Sequence, residues 1–227
     1  VVIVMVFFPA LGYKTKILAS FLGAGFVGVT VQTIGRIRNL SPLKVTLVGI
    51  SIQLFLSSIT KFIMLFNDSK TSDLLFWMIG GVHHAQITHI VELLPCFIIS
   101  ILLIIKISNS MDTLKMGDAI AISLGENIKV IKSIATIVVI LLSSSSVAIA
   151  GPISFIGLIT PHIVIKLGAR NFRESFILCG IYGANLLLLS DIISKILKYP
   201  YESPVGIVTA IIGAPYFLYL LLRKKSN

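Results

Sequence analysis

Residues 151–164 read GPISFIGLITPHIV, and they interrupt a long apolar region with residues that disfavour a regular helix. The Gly-Pro pair at 151–152 predicts a tight reversal, and a second proline frees a backbone carbonyl inside the short apolar segment 153–167. Irregular backbone at membrane depth persists only where it is buried in protein or lines a wet cavity. A short, interrupted span therefore favours a substrate pathway over its alternative, a proline-kinked packing helix. The candidate pathway residues in this stretch are Gly151, Pro152, Gly157, Pro161 and His162.

The composition around this stretch is that of a membrane protein. Apolar residues make up 56% of the 227 residues, charged residues make up 12%, and the mean hydropathy is +1.01. Such a chain cannot fold as a water-soluble globule with an ordinary surface. We predict an all-α polytopic membrane protein, a helical bundle with a single transmembrane domain over residues 1–227 and about seven to eight spans. The predicted spans are 1–10, 17–34, 45–66, 90–107, 131–150, 153–167, 176–197 and 205–222.

The first predicted span begins in mid-helix, without a methionine or a charged flank. It also lacks the features of a signal peptide. We therefore expect that an N-terminal part of the protein is missing from this sequence.

The net charge of +10 indicates membrane topology rather than nucleic-acid binding, because the basic residues are unevenly placed. Loops on one side of the membrane carry most of them, and loops on the other side carry few. The first group is Arg36, Arg38, Lys44, Lys115, Lys129, Lys132, Arg170, Arg173, Arg223, Lys224 and Lys225, and the second is Lys14, Lys16, Lys70 and Lys198. By the positive-inside rule, we predict a cytoplasmic C-terminus.

Two motifs with catalytic or nucleotide-binding associations have simpler explanations here. Residues 23–28, GAGFVG, match G-x-G-x-x-G but lie in mid-span, where close helix packing explains the glycines better. The four serines at 143–146 could suggest an intramembrane hydrolase with His162, but no G-x-S-x-G or H-E-x-x-H motif accompanies them. No G-x-x-x-x-G-K-[ST] is present, so no ATP-binding loop is predicted. We predict no catalytic residue.

Neither the histidines nor the cysteines predict a metal site. The spacing of His83, His84 and His89 does not place two of them on one helical face, so an interfacial loop is favoured over metal or haem contact. Cys96 and Cys179 lie in apolar spans without a C-x-x-C partner. No disulfide, metal or cofactor is predicted.

The polar segment 108–132, SNSMDTLKMGDAIAISLGENIKVIK, is far longer than a turn between two spans requires. Apolar and polar residues alternate in it, and Gly117 and Gly125 punctuate the pattern, which predicts one or two short amphipathic helices. From pattern alone, such a helix either lies in the lipid headgroup region or docks in a partner's groove.

An acidic residue inside a predicted span, Asp191, is a functional candidate by its position. Lys195 follows four residues later on the same helical face, so a structural ion pair between the two is the plainer interpretation. If Asp191 and Glu92 titrated instead, the protein would be an ion-gradient-driven secondary transporter.

Several stretches resemble the FecCD-type permeases, the membrane subunits of bacterial ABC importers for iron-siderophores, haem and cobalamin. AIAGPISFIGLITPHIVIKLG at 148–168 is similar to the family signature, and PVGIVTAIIGAPYFLYLLLRKK at 204–225 to its C-terminal helix. MGDAIAISLG at 116–125 resembles the cytoplasmic coupling segment. SPLKVTLVGIS at 41–51 and FWMIGG at 76–81 follow in family order.

The resemblance implies a type II ABC importer permease of about ten spans in the bacterial cytoplasmic membrane. Two permease subunits, identical or related, would enclose the pathway for an iron chelate, and this chain would be a conduit rather than an enzyme. An extracellular or periplasmic binding protein would deliver the chelate, and two separate ABC ATPases would hydrolyse the ATP. The expected partners are these proteins and membrane lipid, with no nucleic acid.

The resemblance also implies roles for individual residues. The segment that would couple to the ATPase includes Met116, Gly117, Asp118, Leu124, Gly125 and Glu126. Residues 45–66 and 72–82 match the pathway-lining helix and its outward gate, which adds Gly49, Ser51, Trp77, Gly80 and Gly81. Lys195, where the family often has arginine, and Lys198 would meet acidic residues of the binding protein.

Overall fold

The computed structural model describes residues 2–7, 13–37, 41–66, 71–82, 85–197 and 204–223. Within these ranges the regular structure consists of α-helices. They are α1 (Val2–Phe7), α2 (Tyr13–Ile37), α3 (Pro42–Leu65), α4 (Thr71–Ile79), α5 (Ile87–Leu114), α6 (Asp118–Ser123), α7 (Ile128–Ala150), α8 (Ile156–Lys166), α9 (Phe172–Leu197) and α10 (Val205–Arg223).

Five of these helices, α2, α3, α5, α7 and α9, are long and apolar enough to cross a membrane. They contain the spans predicted at 17–34, 90–107, 131–150 and 176–197, and α3 covers 45–65 of the span predicted at 45–66. The apolar helices α8 and α10 are shorter. Of the span predicted at 1–10, residues 2–7 form α1, and residues 1 and 8–10 lie outside the described ranges.

The span predicted at 153–167 is wrong at its start, because the helix there begins only at Ile156. Phe155, the residue before it, has a φ of 69°, in the left-handed region that L-residues rarely occupy. Pro161 lies inside α8 and removes one backbone donor, and the Thr160 hydroxyl donates to the Ile156 carbonyl at 2.8 Å. The segment is therefore three residues of irregular chain followed by an 11-residue helix.

Helix α7 lies at the centre of the bundle, where it packs against α5 on one side and α2 on the other. The four serines of its outer half donate to carbonyls of their own helix, as with Ser145 and Leu141 at 2.7 Å. Of the GAGFVG glycines, Gly28 lies in a close helix contact, since an added Cβ would come 2.7 Å from Ile140 Cδ1. An added Cβ on Gly23 or Gly25 would meet no atom of the described residues within 4 Å, so within this part of the chain the close-packing interpretation is not supported for these two glycines.

Two spans are joined at one end of the bundle by the carboxylate of Asp112. Its Oδ1 accepts from the backbone N–H of Phe172, the first residue of α9, at 2.8 Å, and lies 2.6 Å from Lys115 Nζ. The ammonium group of Lys115 also lies 6.0 Å from the centroid of the Phe172 ring. Because the first N–H groups of a helix have no partner within the helix, Asp112 caps α9 from α5.

We expect Asp112→Ala to lower the free energy of unfolding in detergent micelles by about 1 to 3 kcal/mol, since it removes a charge-assisted acceptor from the start of α9. The matched control is Asp118→Ala, which removes an exposed ion pair with Lys132 and should cost less than about 1 kcal/mol. Equal losses in the two variants would contradict the capping role.

Candidate functional site

The end of α4 meets the end of α7 and the start of α10 through the backbone. We call this contact the outer junction, because it lies at the end of the bundle that the positive-inside rule predicts to face outward. The N–H of Gly81 donates to the Ala150 carbonyl at 2.8 Å, and the N–H of Gly206 donates to the Gly80 carbonyl at 3.1 Å. Helices α4 and α7 end here because Gly80 and Gly151 take φ values of +83° and +66°, which glycine adopts without strain.

The outer junction leaves no room for a side chain at three of its glycines. A Cβ on Gly151 would overlap the carbonyl oxygen of Trp77, and one on Gly80 would overlap that of Pro152. A Cβ on Gly206 would overlap the carbonyl oxygen of Ile79. Since the opposing atoms are backbone, no rotamer change relieves these overlaps, and the three segments must separate as units.

The junction brings together half of the residues predicted for the pathway and gate. Trp77, Gly80, Gly81, Gly151 and Pro152 lie within it or contact it. Sequence reasoning missed Gly206, although its place two residues after the proline of PVGIVTAIIG could have marked it as part of the first turn of a helix.

The other predicted pathway residues lie elsewhere. Gly157, Pro161 and His162 are on α8, where His162 is exposed. Gly49 and Ser51 are on α3. At the α-helical rise, Gly49 lies roughly 24 Å from the C-terminal end of that helix. The structure therefore does not place these five residues at the outer junction.

A cavity of about 410 Å³ lies beside the junction, between α1, α2, α3 and α7, and Trp77 forms part of its wall. Small and apolar side chains make up most of the lining, which includes Gly23, Ala24 and Val147. Ser20 also lines it, and its buried Oγ has no hydrogen-bond partner among the described residues.

At the other end, the polar segment 108–132 contains one short helix of its own, α6, rather than two. Its first seven residues continue α5 and its last five begin α7. Gly117 before α6 has a φ of +110° and Gly125 after it a φ of +84°. The N–H of Glu126 donates to the Ala121 carbonyl and that of Gly125 to Ile122, a Schellman motif that ends the helix at the predicted glycine.

Helix α6 is anchored on one side and exposed on the other. Ala121 is fully buried, and Asp118 Oδ2 lies 2.7 Å from Lys132 Nζ on α7. Three large apolar residues of the segment, Met116, Ile122 and Leu124, are about two-thirds exposed. Helix α6 therefore has a fixed position and an exposed apolar surface formed by Met116, Ile122 and Leu124, which we call the α6 surface. It lies at the end of the bundle that the positive-inside rule assigns to the cytoplasm.

The acidic residues of the spans differ in their surroundings. Asp191 Oδ2 lies 2.6 Å from Lys195 Nζ, with the aspartate largely buried and the lysine exposed. Lys198 lies outside the described residues. The buried Oε2 of Glu92, on α5, has no hydrogen-bond partner in the described part of the chain.

The histidines offer no metal centre within the described ranges, where no group of three potential ligands comes together. His89 lies in the first turn of α5, and its Nδ1 accepts from the Gln86 N–H at 3.2 Å. His83 and His84 lie outside the described residues.

The family model described as the FecCD transport family matches residues 1–223. The chain belongs to this family. It is 40% identical to the Fe(3+)-citrate import system permease protein YfmD of Bacillus subtilis, over all of this chain and 67% of that protein. It is 35% identical to the iron(3+)-hydroxamate import system permease protein FhuB of the same organism, over 99% of this chain and 59% of that protein.

The family likeness extends to Escherichia coli and to a solved structure. The Fe(3+) dicitrate transport system permease protein FecC is 30% identical over 95% of this chain and 65% of its own length. A structure described as an inward-facing metal-chelate type ABC transporter shares the fold, with a TM-score of 0.74, 24% identity and coverage of 91% of this chain and 72% of that one. The chain thus spans about three-fifths to two-thirds of the length of these curated relatives.

In this FecCD chain, we expect Gly151→Ala to lower the free energy of unfolding by about 2 to 4 kcal/mol, because the added Cβ meets the Trp77 carbonyl and the residue has a positive φ. Gly157→Ala is the matched control, since nothing lies within 4 Å of its Cβ position. Thermal unfolding in detergent measures both. A Gly151→Ala variant as stable as Gly157→Ala would show that the junction is not closely packed.

Proposed function

We propose that the chain is a permease subunit of a binding-protein-dependent ABC importer that carries an iron chelate across the bacterial cytoplasmic membrane. The observation that carries the proposal is the family match over residues 1–223, together with curated relatives described as permeases for ferric citrate and ferric hydroxamate. Five membrane-length helices support a multi-pass conduit, and the basic residues support a cytoplasmic C-terminus.

The α6 surface is the proposed docking point for a separate ABC ATPase. A displacement of the ATPase can move the spans only if the element that receives it is rigid. Ala121 and the Asp118–Lys132 pair hold α6 in place, and α6 directly connects α5 to α7 at the centre of the bundle. Exposed apolar residues on a fixed, water-facing helix are better explained by a protein partner than by solvation. The residues directly before and after α6 set where this helix begins and ends, and they are Met116, Gly117, Gly125 and Glu126.

The outer junction is the proposed outward gate, and the exposed Lys195 is a proposed contact for acidic residues of a binding protein. Lys195 Nζ already pairs with Asp191, so its charge is held at the outer end of α9. A second permease subunit, identical or related, would complete the pathway. In this reading the chain moves its substrate without any catalytic group or cofactor of its own.

One observation favours a second candidate, an ion-gradient-driven secondary transporter. The buried Oε2 of Glu92 has no hydrogen-bond partner among the described residues, and an acidic group inside a span is a functional candidate by its position. The pairing of Asp191 with Lys195 does not support it, because a carboxylate held by a lysine at 2.6 Å is occupied by a structural contact.

We expect Leu124→Glu to weaken co-purification of the partner ATPase about tenfold or more, because a buried leucine is worth about 1.5 to 3 kcal/mol. The matched control is Val130→Glu, another exposed apolar residue of the cytoplasmic end, which lies on α7 outside the α6 surface. Affinity capture of the assembled transporter followed by quantitative blotting measures the effect.

Two results would count against the ATPase proposal. Equal losses in Leu124→Glu and Val130→Glu would show that the α6 surface has no special role. Uptake of ferric citrate by vesicles that lack the ATPase and hold only a proton or sodium gradient would favour the secondary transporter.

We expect charge reversal at both Lys195 and Lys198 to weaken binding of the purified binding protein to the reconstituted transporter, because attraction to its acidic residues becomes repulsion. Lys16→Glu, a reversal elsewhere on the same predicted side, is the control. Unchanged affinity in the double variant, with a normal unfolding temperature, would exclude these lysines from the docking site.

A further inference from the structure

The start of α10 is unusually enclosed for a helix of this chain. The side chains of Val205, Val208 and Thr209 are at least 95% buried, whereas most residues of the other long helices are partly or fully exposed. Leu74 on α4 is similarly buried, and α4 contacts α10. The first turn of α10 is therefore held within protein at the outer end of the bundle.

Two kinds of contact fix this turn against α4. The Gly206 N–H, which has no acceptor inside its own helix, donates to the Gly80 carbonyl at 3.1 Å. The Gly206 Cα faces the Ile79 carbonyl so closely that a Cβ would overlap it. Within α10, the Thr209 hydroxyl donates to the Gly206 carbonyl at 3.0 Å, so both backbone polar groups of Gly206 have a partner.

We propose that Gly206 is a positioning residue of the outer gate, because its missing side chain lets α10 seal against the end of α4. This inference rests on the proposed function in calling the junction a gate and in placing it at the outer face of the membrane. The contact is backbone against backbone, so it cannot loosen by a change of rotamer. Opening the outer end requires α10 and α4 to part and the Gly206–Gly80 hydrogen bond to break.

The proposed role applies to Gly206 and not to Gly213, the other glycine of α10 that packs closely. A Cβ on Gly213, two turns further along, would overlap Phe155 beside the start of α8. A substitution there disturbs the contact of α10 with α8 and leaves the contact with α4 in place. A Cβ on Gly180 of α9 would meet nothing within 4 Å, so Gly180→Ala introduces the same methyl group without a clash.

The test measures how well the outer end is sealed. Val205→Cys places a thiol at a position that is 1% exposed at the junction, in a chain whose Cys96 and Cys179 are replaced by serine. A membrane-impermeant maleimide is added from outside to cells that express the transporter. We expect Gly206→Ala to raise the labelling rate of this thiol about tenfold, which corresponds to about 1.4 kcal/mol in favour of the parted state. We expect Gly180→Ala and Gly213→Ala to leave the rate unchanged.

A second thiol distinguishes local opening from loss of the fold. Ala121→Cys lies at the other end of the bundle, at a position that is fully buried, and it is probed in inside-out vesicles. In a folded Gly206→Ala variant this thiol stays protected while the thiol at 205 becomes reactive. If Gly206→Ala exposes both thiols or fails to accumulate, Gly80→Ala, which disturbs the same junction from α4, is measured in its place.

Protection of the thiol at 205 in the folded Gly206→Ala variant would overturn the proposal, as would equal exposure in Gly213→Ala. If Gly80→Ala has to be used, a protected thiol at 205 in that variant has the same meaning. Labelling needs neither ATP nor a chelate. The labelling experiment can therefore confirm the sealing role of Gly206 even if the chain transports nothing. It can also refute that role even if the chain works as an importer.

Discussion

The structure depends on the need of every backbone polar group at membrane depth for a partner, since hydrocarbon offers none. Within the long helices the groups satisfy one another. At the outer end, where α4 and α7 stop and α10 begins, the same need is met between segments, by Gly81 with Ala150 and Gly206 with Gly80. The backbones approach closely there because Gly80, Gly151 and Gly206 have no side chain, and a Cβ on each would overlap an opposing carbonyl oxygen.

The two ends of the bundle are built on different physical principles. The outer junction is closed by backbone contacts, which no change of side-chain rotamer can relieve. The opposite end has charged side-chain contacts, mainly Asp112 at the start of α9, and it leaves the α6 surface exposed. Helix α7 extends from α6 at one end of the bundle to the outer junction at the opposite end. In the proposed function, α7 is the element that would transmit a displacement of α6 to the outer junction.

Membership of the FecCD transport family and the geometry answer different questions. The family match indicates what class of work the chain does and names relatives that carry ferric chelates. The geometry indicates which parts of the chain are held in place, which residues are exposed, and which contacts must break for the outer junction to open. The small, mostly apolar cavity beside Trp77 fits a pathway that lets a bulky substrate leave, because it offers few fixed polar ligands.

The sequence alone determined the membrane environment, the helical class and the positions of the long spans, because hydropathy and the needs of the backbone in lipid act locally along the chain. It also marked Gly117 and Gly125 as the ends of a short helix, since helix termination is local. Only the tertiary structure decided that Gly80, Gly151 and Gly206 meet at one point and that Gly49 lies elsewhere. Those contacts join residues far apart in sequence, and no local pattern of residues encodes which glycine faces which carbonyl.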